Sequence, residues 1–280
     1  MNKTRQNSLL SLALTLLAFA TTGQAQQSAY ENFRARNTAM AAVQPSWMAP
    51  LVQTDSRLAQ AVRISVSNSY TAAGTETVNY GNWHLLGLIA GNRVQLNLMA
   101  PPYVQNNSAA KDGFGDPMAE LKVRLLSGNA QHGDFIVTAM LAKTFATGSY
   151  QNGAPTGLYF PTLAAGKAWG RYNLQTTLGG TMPTGKIALQ GRQVLWNSTA
   201  QVHVNSHVWL DIEDNATYNF AGPIDGKTEN FVTPAAYLVI ERKDWKPTHP
   251  VVVFDAGMQI ATSTFHPYNH NVISEIRMLF

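Results

Sequence analysis

The chain has 280 residues and a formal net charge of +4, and its acids and bases are interspersed, which excludes the basic block of a nucleic-acid-binding protein. It has no cysteine, so disulfides, thiolate metal sites and cysteine nucleophiles are excluded as well. Apolar residues make up 45% of the chain and charged residues only 13%, about half the usual share in a soluble domain.

The N-terminus has the form of an export signal. Lys3 and Arg5 precede an apolar run at 9–20, and small residues ending at Ala25 occupy the positions that a signal peptidase reads. The sequence therefore predicts a signal peptide at 1–25 and export of the remainder.

Residues 26–59 differ in kind from residues 60–280. They combine a stretch able to form a short helix with an extended stretch that is punctuated by prolines. We expect this N-terminal segment either to hang in the periplasm or to plug a barrel formed by the later residues, and the sequence leaves both alternatives open.

From residue 60 onward, apolar and polar residues alternate in the manner of strands. Val62, Ile64 and Val66, for example, alternate with Arg63 and Ser65. Strands of about ten residues fit a tilted crossing of a membrane, and no apolar run here reaches the roughly 18 residues of a membrane helix. We predict twelve strands, at 60–70, 77–89, 93–100, 117–127, 134–146, 159–169, 171–183, 191–204, 206–219, 229–242, 250–263 and 270–280.

The predicted connections alternate between short turns and long loops rich in Gly, Asn and Pro, and aromatic residues cluster near strand ends. Both features are typical of outer-membrane barrels. We therefore predict an all-β fold, a transmembrane antiparallel up-and-down β-barrel over 60–280, in the bacterial outer membrane with both termini periplasmic. A soluble periplasmic β-sandwich would also alternate, but the low charge and the long strands disfavour it.

A distinctive motif lies in the stretch KDGFGDPMAELKVRLL. Gly113, Gly115 and Asp116 are followed by the KVRLL of 122–126, and the tripeptide at 146–148 reads A-T-G. The pattern resembles the GxGD…KxRLL segment, followed by P-T-G, of the family named for the MetA pathway of phenol degradation. The resemblance implies an outer-membrane barrel related to channels for hydrophobic or aromatic compounds. It defines no substrate residues, and alanine replaces the family's proline, so it assigns no particular substrate.

The chain ends NVISEIRMLF, which resembles the ending of outer-membrane barrels. In such proteins the barrel-assembly machinery recognises a terminal aromatic residue with apolar residues at alternating positions before it. Val272, Ile276, Met278 and Phe280 match this pattern, and Ser274 interrupts it. We predict that the four face lipid and form the assembly signal, with the assembly machinery and outer-membrane lipid as partners.

Charged residues fall on the opposite face of the predicted strands. Arg or Lys facing lipid at the midplane would cost about 2–4 kcal/mol, so we expect these residues to line the lumen. The expected lining residues are Arg63, Arg93, Glu120, Lys122, Arg124, Arg171, Asp211, Glu213, Arg242, Asp255, Glu275 and Arg277. They could set solute selectivity in a polar pore, or they could form salt bridges that fill a narrow barrel; the sequence favours neither.

These patterns predict a channel for passive uptake of small solutes through a charged lumen, without a cofactor, and the resemblance implies that the solutes are hydrophobic or aromatic. His203 and His207 lie four residues apart across a tight turn, but no acidic third ligand stands at a recognisable spacing, so no metal site is predicted. No nucleophile accompanies a recognisable base and orienting partner. An outer-membrane lipid hydrolase and a closed structural barrel are the alternatives.

Overall fold

The computed structural model describes residues 31–81, 85–240 and 251–280, so the predicted signal peptide lies outside the described residues. Residues 31–41 are helical (α1), and 42–60 follow as mostly irregular chain. We call residues 31–60 the inner segment. Among the described residues, no helix has both the length and the apolarity to cross a membrane.

The rest of the described chain is mostly strand. The strand segments are β1 Ala61–Tyr70, β2 Glu76–Tyr80, β3 Leu85–Gly91, β4 Val94–Met99, β5 Tyr103–Asn106, β6 Gly113–Phe114, β7 Met118–Gly128, β8 Phe135–Thr144, β9 Leu158–Trp169, β10 Tyr172–Pro183, β11 Arg192–Asn205, β12 Val208–Phe220, β13 Thr228–Ile240, β14 Val251–Ala261 and β15 His270–Leu279. A 3-10 turn, Ala130–His132, precedes β8, and a short helix, α2, spans Ile187–Gln190.

The segments form one antiparallel sheet that closes on itself. β1 pairs with β15 over ten residues, from Ala61 opposite Leu279 to Tyr70 opposite His270. Three strands of the ring are each made of two consecutive segments: β2 with β3, β4 with β5, and β6 with β7. Within these strands, β5 pairs with β2 on one side and with β6 on the other. The ring therefore has twelve positions, and the predicted twelve-stranded barrel is confirmed.

The strands are interrupted where the sequence removes hydrogen-bond donors. Proline cannot donate to a sheet, and Pro101 and Pro102 separate β4 from β5 while Pro117 separates β6 from β7. The stretch between the predicted strands 93–100 and 117–127 contains β5 and β6. The predicted strand at 77–89 corresponds to β2 and β3, and residues 82–84 between them lie outside the described residues. The wall here extends further than the sequence pattern indicated.

The two ends of the barrel differ. Phe280 N–H donates to the carbonyl of Gln60 at 3.0 Å, so both ends of the barrel chain meet at what we call the terminal end. Two-residue turns such as 170–171 and 206–207 lie there, while longer connections, including 145–157, lie at the loop end.

The apolar core lies inside the barrel, between the inner segment and the wall. Leu51 is fully buried against Tyr237, Val239, Val253 and Ile273. A smaller cluster joins Met40 and Leu58 of the inner segment to Ile89 of β3. The inner segment is thus packed as part of the folded barrel.

Candidate functional site

The inner segment crosses the lumen and is held chiefly by its main-chain atoms. Side chains from seven strands bind backbone groups of residues 48–59. In chain order these side chains are Arg63, Gln95, Lys122, Thr138, Gln175, Glu213 and Arg277. Because they come from all around the ring, they hold the segment inside the lumen.

Glu213 of β12 provides the only fully buried carboxylate among the described contacts to this segment. Its side chain has 0% exposure. It accepts hydrogen bonds from the consecutive amides of Leu51, Val52 and Gln53 at 2.6, 2.9 and 2.8 Å. Charge-assisted bonds of this kind are roughly twice as strong as neutral ones, so Glu213 fixes the segment at mid-lumen.

Two arginines bind the carbonyls next to that point. Arg277 donates to the carbonyl oxygens of Ala49 and Pro50 at 2.5 and 2.8 Å, and Arg63 donates to that of Leu51 at 2.6 Å. Acidic partners balance both cations. Arg277 pairs with Asp255 and Glu275, and Arg63 also pairs with Glu275.

Lys122 of β7 holds the next stretch of the inner segment. Its ammonium donates to the carbonyl oxygens of Asp55 and Arg57 at 2.6 and 2.7 Å, and those two residues form a salt bridge at 3.2 Å. Burial alone would raise the pKa of Asp55, but the nearby Arg57 and Lys122 hold that pKa below its ordinary value. Asp55 is therefore ionised, and its charge is balanced within the protein.

Most of the charges expected to line the lumen are buried and bound to protein groups. In addition to the residues that grip the inner segment, Glu120 accepts a hydrogen bond from Asn97 at 2.7 Å, Arg124 donates to the carbonyl of Asn92, and Asp211 accepts from Tyr237. These charges are therefore satisfied within the protein, and their role in solute selectivity stays a prediction.

Two of the expected lumen residues lie elsewhere, and a third lies outside the described residues. Arg93 and Arg171 are exposed in turns at the terminal end. Arg93 reaches the carbonyl of Leu125, and Arg171 reaches those of His203 and Val204. These expectations were wrong because the strand alternation was extended into two-residue turns. Arg242 is not among the described residues.

A cavity of about 530 Å³ lies in the lumen; its lining includes Ala61 and Leu279 beside the terminal end as well as residues towards the loop end. Its floor includes residues 52–55 and 57 of the inner segment, and its lining reaches the exposed Pro267 in the β14–β15 loop. One side carries neutral polar groups in a hydrogen-bonded row, in which Asn215 donates to Asn197 and Asn197 donates to Thr177. The apolar side chains in the lining include Leu85, Met99, Met118, Phe160, Leu195 and Phe231.

The sequence did not identify the floor of this cavity. Residues 52–57 show no strand periodicity, and the wall holds their backbone groups, which every residue carries. The one available signal was the extended, proline-punctuated stretch, because such a chain leaves its amides and carbonyls free to be bound.

The residues of the sequence motif organise the loop end. Asp116 accepts hydrogen bonds from the amides of Thr147 and Gly148 at 2.9 and 2.8 Å and from the amide of Ala154 at 2.7 Å. It thereby anchors the β8–β9 loop, residues 145–157, to the wall, and it also lines the cavity.

The two motif glycines permit close packing at the same place. A methyl group on Gly113 would collide with the side chain of Ser149, and one on Gly115 would lie 2.9 Å from Cγ of Pro102. The motif is therefore the packing site of a loop against the segments that extend the barrel.

The two histidines noted in the sequence have protein partners. The ring of His203 stacks on Trp209 with centroids 4.2 Å apart, and Nδ1 of His207 lies 3.1 Å from the carbonyl oxygen of Val239. Among the described residues no group of three potential metal ligands is present.

The predicted assembly-signal residues follow the alternation of β15. Val272, Ile276 and Phe280 are exposed and Met278 is half-buried, while Glu275 and Arg277 are buried on the other face. Their role in assembly stays a prediction.

Solved structures with a similar fold are outer-membrane barrels. An outer membrane channel from Pseudomonas putida F1 aligns with a TM-score of 0.55 and 13% identity over 80% of this chain and 96% of the channel. The NanC porin aligns with a TM-score of 0.51 and 9% identity over 78% of this chain and 98% of the porin. At these identities the likeness shows the fold alone. No protein-family model matches the chain, and no curated protein matches it.

Proposed function

We propose that this protein is a bacterial outer-membrane channel for the passive uptake of small solutes. The observation that carries the proposal is the cavity of about 530 Å³ that reaches the loop end and is lined in part by the inner segment. The channel and the porin of similar fold support this role. Export by a signal peptide at 1–25 and periplasmic termini belong to the same proposal.

In this proposal the inner segment is the gate. Solute enters at the loop end, collects in the cavity and passes towards the periplasm when the segment shifts from its contacts with Glu213, Lys122 and Arg277. The charged residues of the lumen then have two roles. They hold the inner segment in its closed position, and they line the path that opens when the segment moves. Passage follows the solute gradient.

We infer that the solutes are neutral and partly apolar, of the hydrophobic or aromatic class. The wall offers apolar surface from residues such as Met118 and Phe231, while Lys122, Glu120 and Arg277 are already bound to protein groups. The resemblance of the motif at 113–126 to the MetA-pathway family supports the same class. The proposal is a channel, and neither a lipid hydrolase nor a permanently closed barrel.

Planar-bilayer recordings test this function. The full chain should conduct in brief, rare openings, whereas a variant lacking residues 26–58 should conduct continuously. A heat-dependent shift in electrophoretic mobility establishes that the shortened barrel is folded. The proposal fails if that folded variant conducts no more than a protein-free bilayer and carries no phenol into liposomes above their background permeability.

A further inference from the structure

A row of side chains crosses the outward face of the wall at the loop end, from β8 to β11. Lys143, next to the last residue of β8, is paired with Tyr159 of β9, and Tyr159 is paired with Met182 of β10. The ladder between β10 and β11 places Arg192, the first residue of β11, beside Met182. We call Lys143, Tyr159, Met182 and Arg192 the outer basic row.

The two cations of this row have no anionic partner in the protein. The ammonium of Lys143 lies over two aromatic rings, 5.2 Å from the centroid of Tyr159 and 5.4 Å from that of Phe145. Rings attract a cation in this position and hold it in place. Neither this ammonium nor the guanidinium of Arg192 forms a hydrogen bond or a salt bridge with any described residue. Both charges are therefore available to an anion from outside the protein.

Carboxylates are distant from the row on the same face. On the described strands β8 to β12 the outward carboxylate is Asp214, six residues before Phe220, which is the partner of Arg192. That spacing is about 20 Å along the strand. In the β12–β13 connection, Asp225 accepts a hydrogen bond from the amide of Ala221 at 2.8 Å and forms no ion pair with a described residue. The outward rim over β8 to β11 is consequently positive.

The surface next to the row, towards the middle of the wall, is apolar. Leu163 of β9, Leu178 of β10 and Trp196 of β11 are paired in one line across the sheet, and all three are exposed. Lipid chains cover such a band in an outer-membrane barrel. The headgroups of the same lipids then lie at the level of the row.

We propose that the outer basic row binds the phosphate of an anionic lipid in the leaflet at the loop end. Three strand spacings separate Lys143 from Arg192, about 14 Å at the backbone, and the ammonium of Lys143 already lies over Tyr159, between them. Both long side chains can therefore converge on one phosphate that lies over Tyr159 and Met182. The guanidinium can donate two parallel N–H bonds to phosphate oxygens, and the ammonium supplies a compact second charge.

Native mass spectrometry of the full chain released from nanodiscs tests the lipid. The nanodiscs contain equal parts of phosphatidylglycerol and phosphatidylcholine, which both carry a phosphate but differ in net charge. We expect phosphatidylglycerol to remain bound in preference to phosphatidylcholine. Equal retention of the two lipids overturns the proposal, whether or not the barrel conducts.

Substitutions locate the binding. Lys143→Gln and Arg192→Gln should each lower the retained phosphatidylglycerol about fivefold, the amount expected for one basic residue at an anionic surface. Heat-shift electrophoresis establishes that both variants are folded. Unchanged retention in these folded variants refutes the site.

Lys227→Gln is the matched control. Lys227 also lies at the loop end over an aromatic ring, 6.0 Å from the centroid of Phe265. Its carbonyl accepts a hydrogen bond from the amide of the buried Asn219, which places it on the lumen side of the rim. The control should retain phosphatidylglycerol as the unaltered chain does. A loss as large as that of Lys143→Gln would mean that retention follows the total charge, and the proposal would fail.

Discussion

At the scale of single residues, we expect Glu213 to determine how firmly the proposed gate is held. Glu213→Gln replaces one carboxylate oxygen by an amide donor that faces the amides of residues 51–53, so at least one charge-assisted hydrogen bond is lost. Such a bond contributes about 1.5–3 kcal/mol, and we expect the fraction of time spent conducting in planar bilayers to rise about tenfold to a hundredfold.

Glu229→Gln is the matched control for this change. Glu229 also lines the cavity, but it accepts a hydrogen bond from Asn219 and has no hydrogen bond to residues 48–59. Its neutralisation should alter the conductance of open channels without altering how often they open. Equal opening frequencies in the two variants would show that the gate does not depend on Glu213.

At the scale of elements, Asp116 holds the β8–β9 loop in place. Asp116→Ala removes the acceptor of three amides in that loop. We expect those of Thr147, Gly148 and Ala154 to exchange hydrogen about tenfold to a hundredfold faster, while the barrel strands keep their protection. Hydrogen-exchange mass spectrometry on the reconstituted protein measures this.

The neighbouring Asp112 provides the comparison for this loop. It accepts a hydrogen bond from the amide of Asn106, within the β5–β6 connection, and from no amide of the β8–β9 loop. Asp112→Ala should therefore leave exchange in residues 145–157 unchanged. Faster exchange there in both variants would mean that the loop responds to any loss of charge at the loop end.

At the scale of the whole molecule, the last residue joins the barrel seam to the inner segment. The Phe280 carbonyl accepts a hydrogen bond from Asn37, and its ring packs edge-on against Phe33 with centroids 6.2 Å apart. We propose that Phe280 is part of the assembly signal, and we therefore predict that its deletion lowers the amount of folded barrel in the outer membrane. Fractionation followed by heat-shift electrophoresis measures that amount.

Phe33→Ala separates assembly from packing of the inner segment. It removes the ring contact with Phe280 and leaves the terminal pattern intact, so the outer-membrane level should stay near that of the unaltered chain. A loss as large as that of the Phe280 deletion would instead mean that the terminus acts through the inner segment.

The sequence predicted those parts of the molecule that depend on side-chain periodicity. Alternation in stretches such as 62–66 predicted the twelve strands, because a lipid-facing wall requires apolar residues at every second position. Alternation carries no information where a chain turns, so Arg93 and Arg171 were placed in the lumen. It also did not anticipate that prolines would divide strands, leaving β5 and β6 to continue the wall beyond the breaks.

For a related reason, the sequence predicted the charged side chains of the candidate site but not their partners. Glu213, Lys122 and Arg277 stood out as charges on a face that lipid could not accept. Their partners are amides and carbonyls of residues 49–57, and no sequence pattern distinguishes one backbone group from another. The sequence therefore did not show that these residues are bound to the inner face of the wall.

The hydrogen bonds between the wall and the inner segment affect how the sequence of such a barrel can change during evolution. The wall binds main-chain atoms of the segment, whereas Val52, Thr54 and Arg57 also line the cavity. Substitutions at these positions can change the surface of the cavity without breaking the main-chain hydrogen bonds that hold the segment in place. In the proposed channel, selectivity depends on side-chain atoms and closure on main-chain atoms of the same few residues, so substitutions can change the first and leave the second.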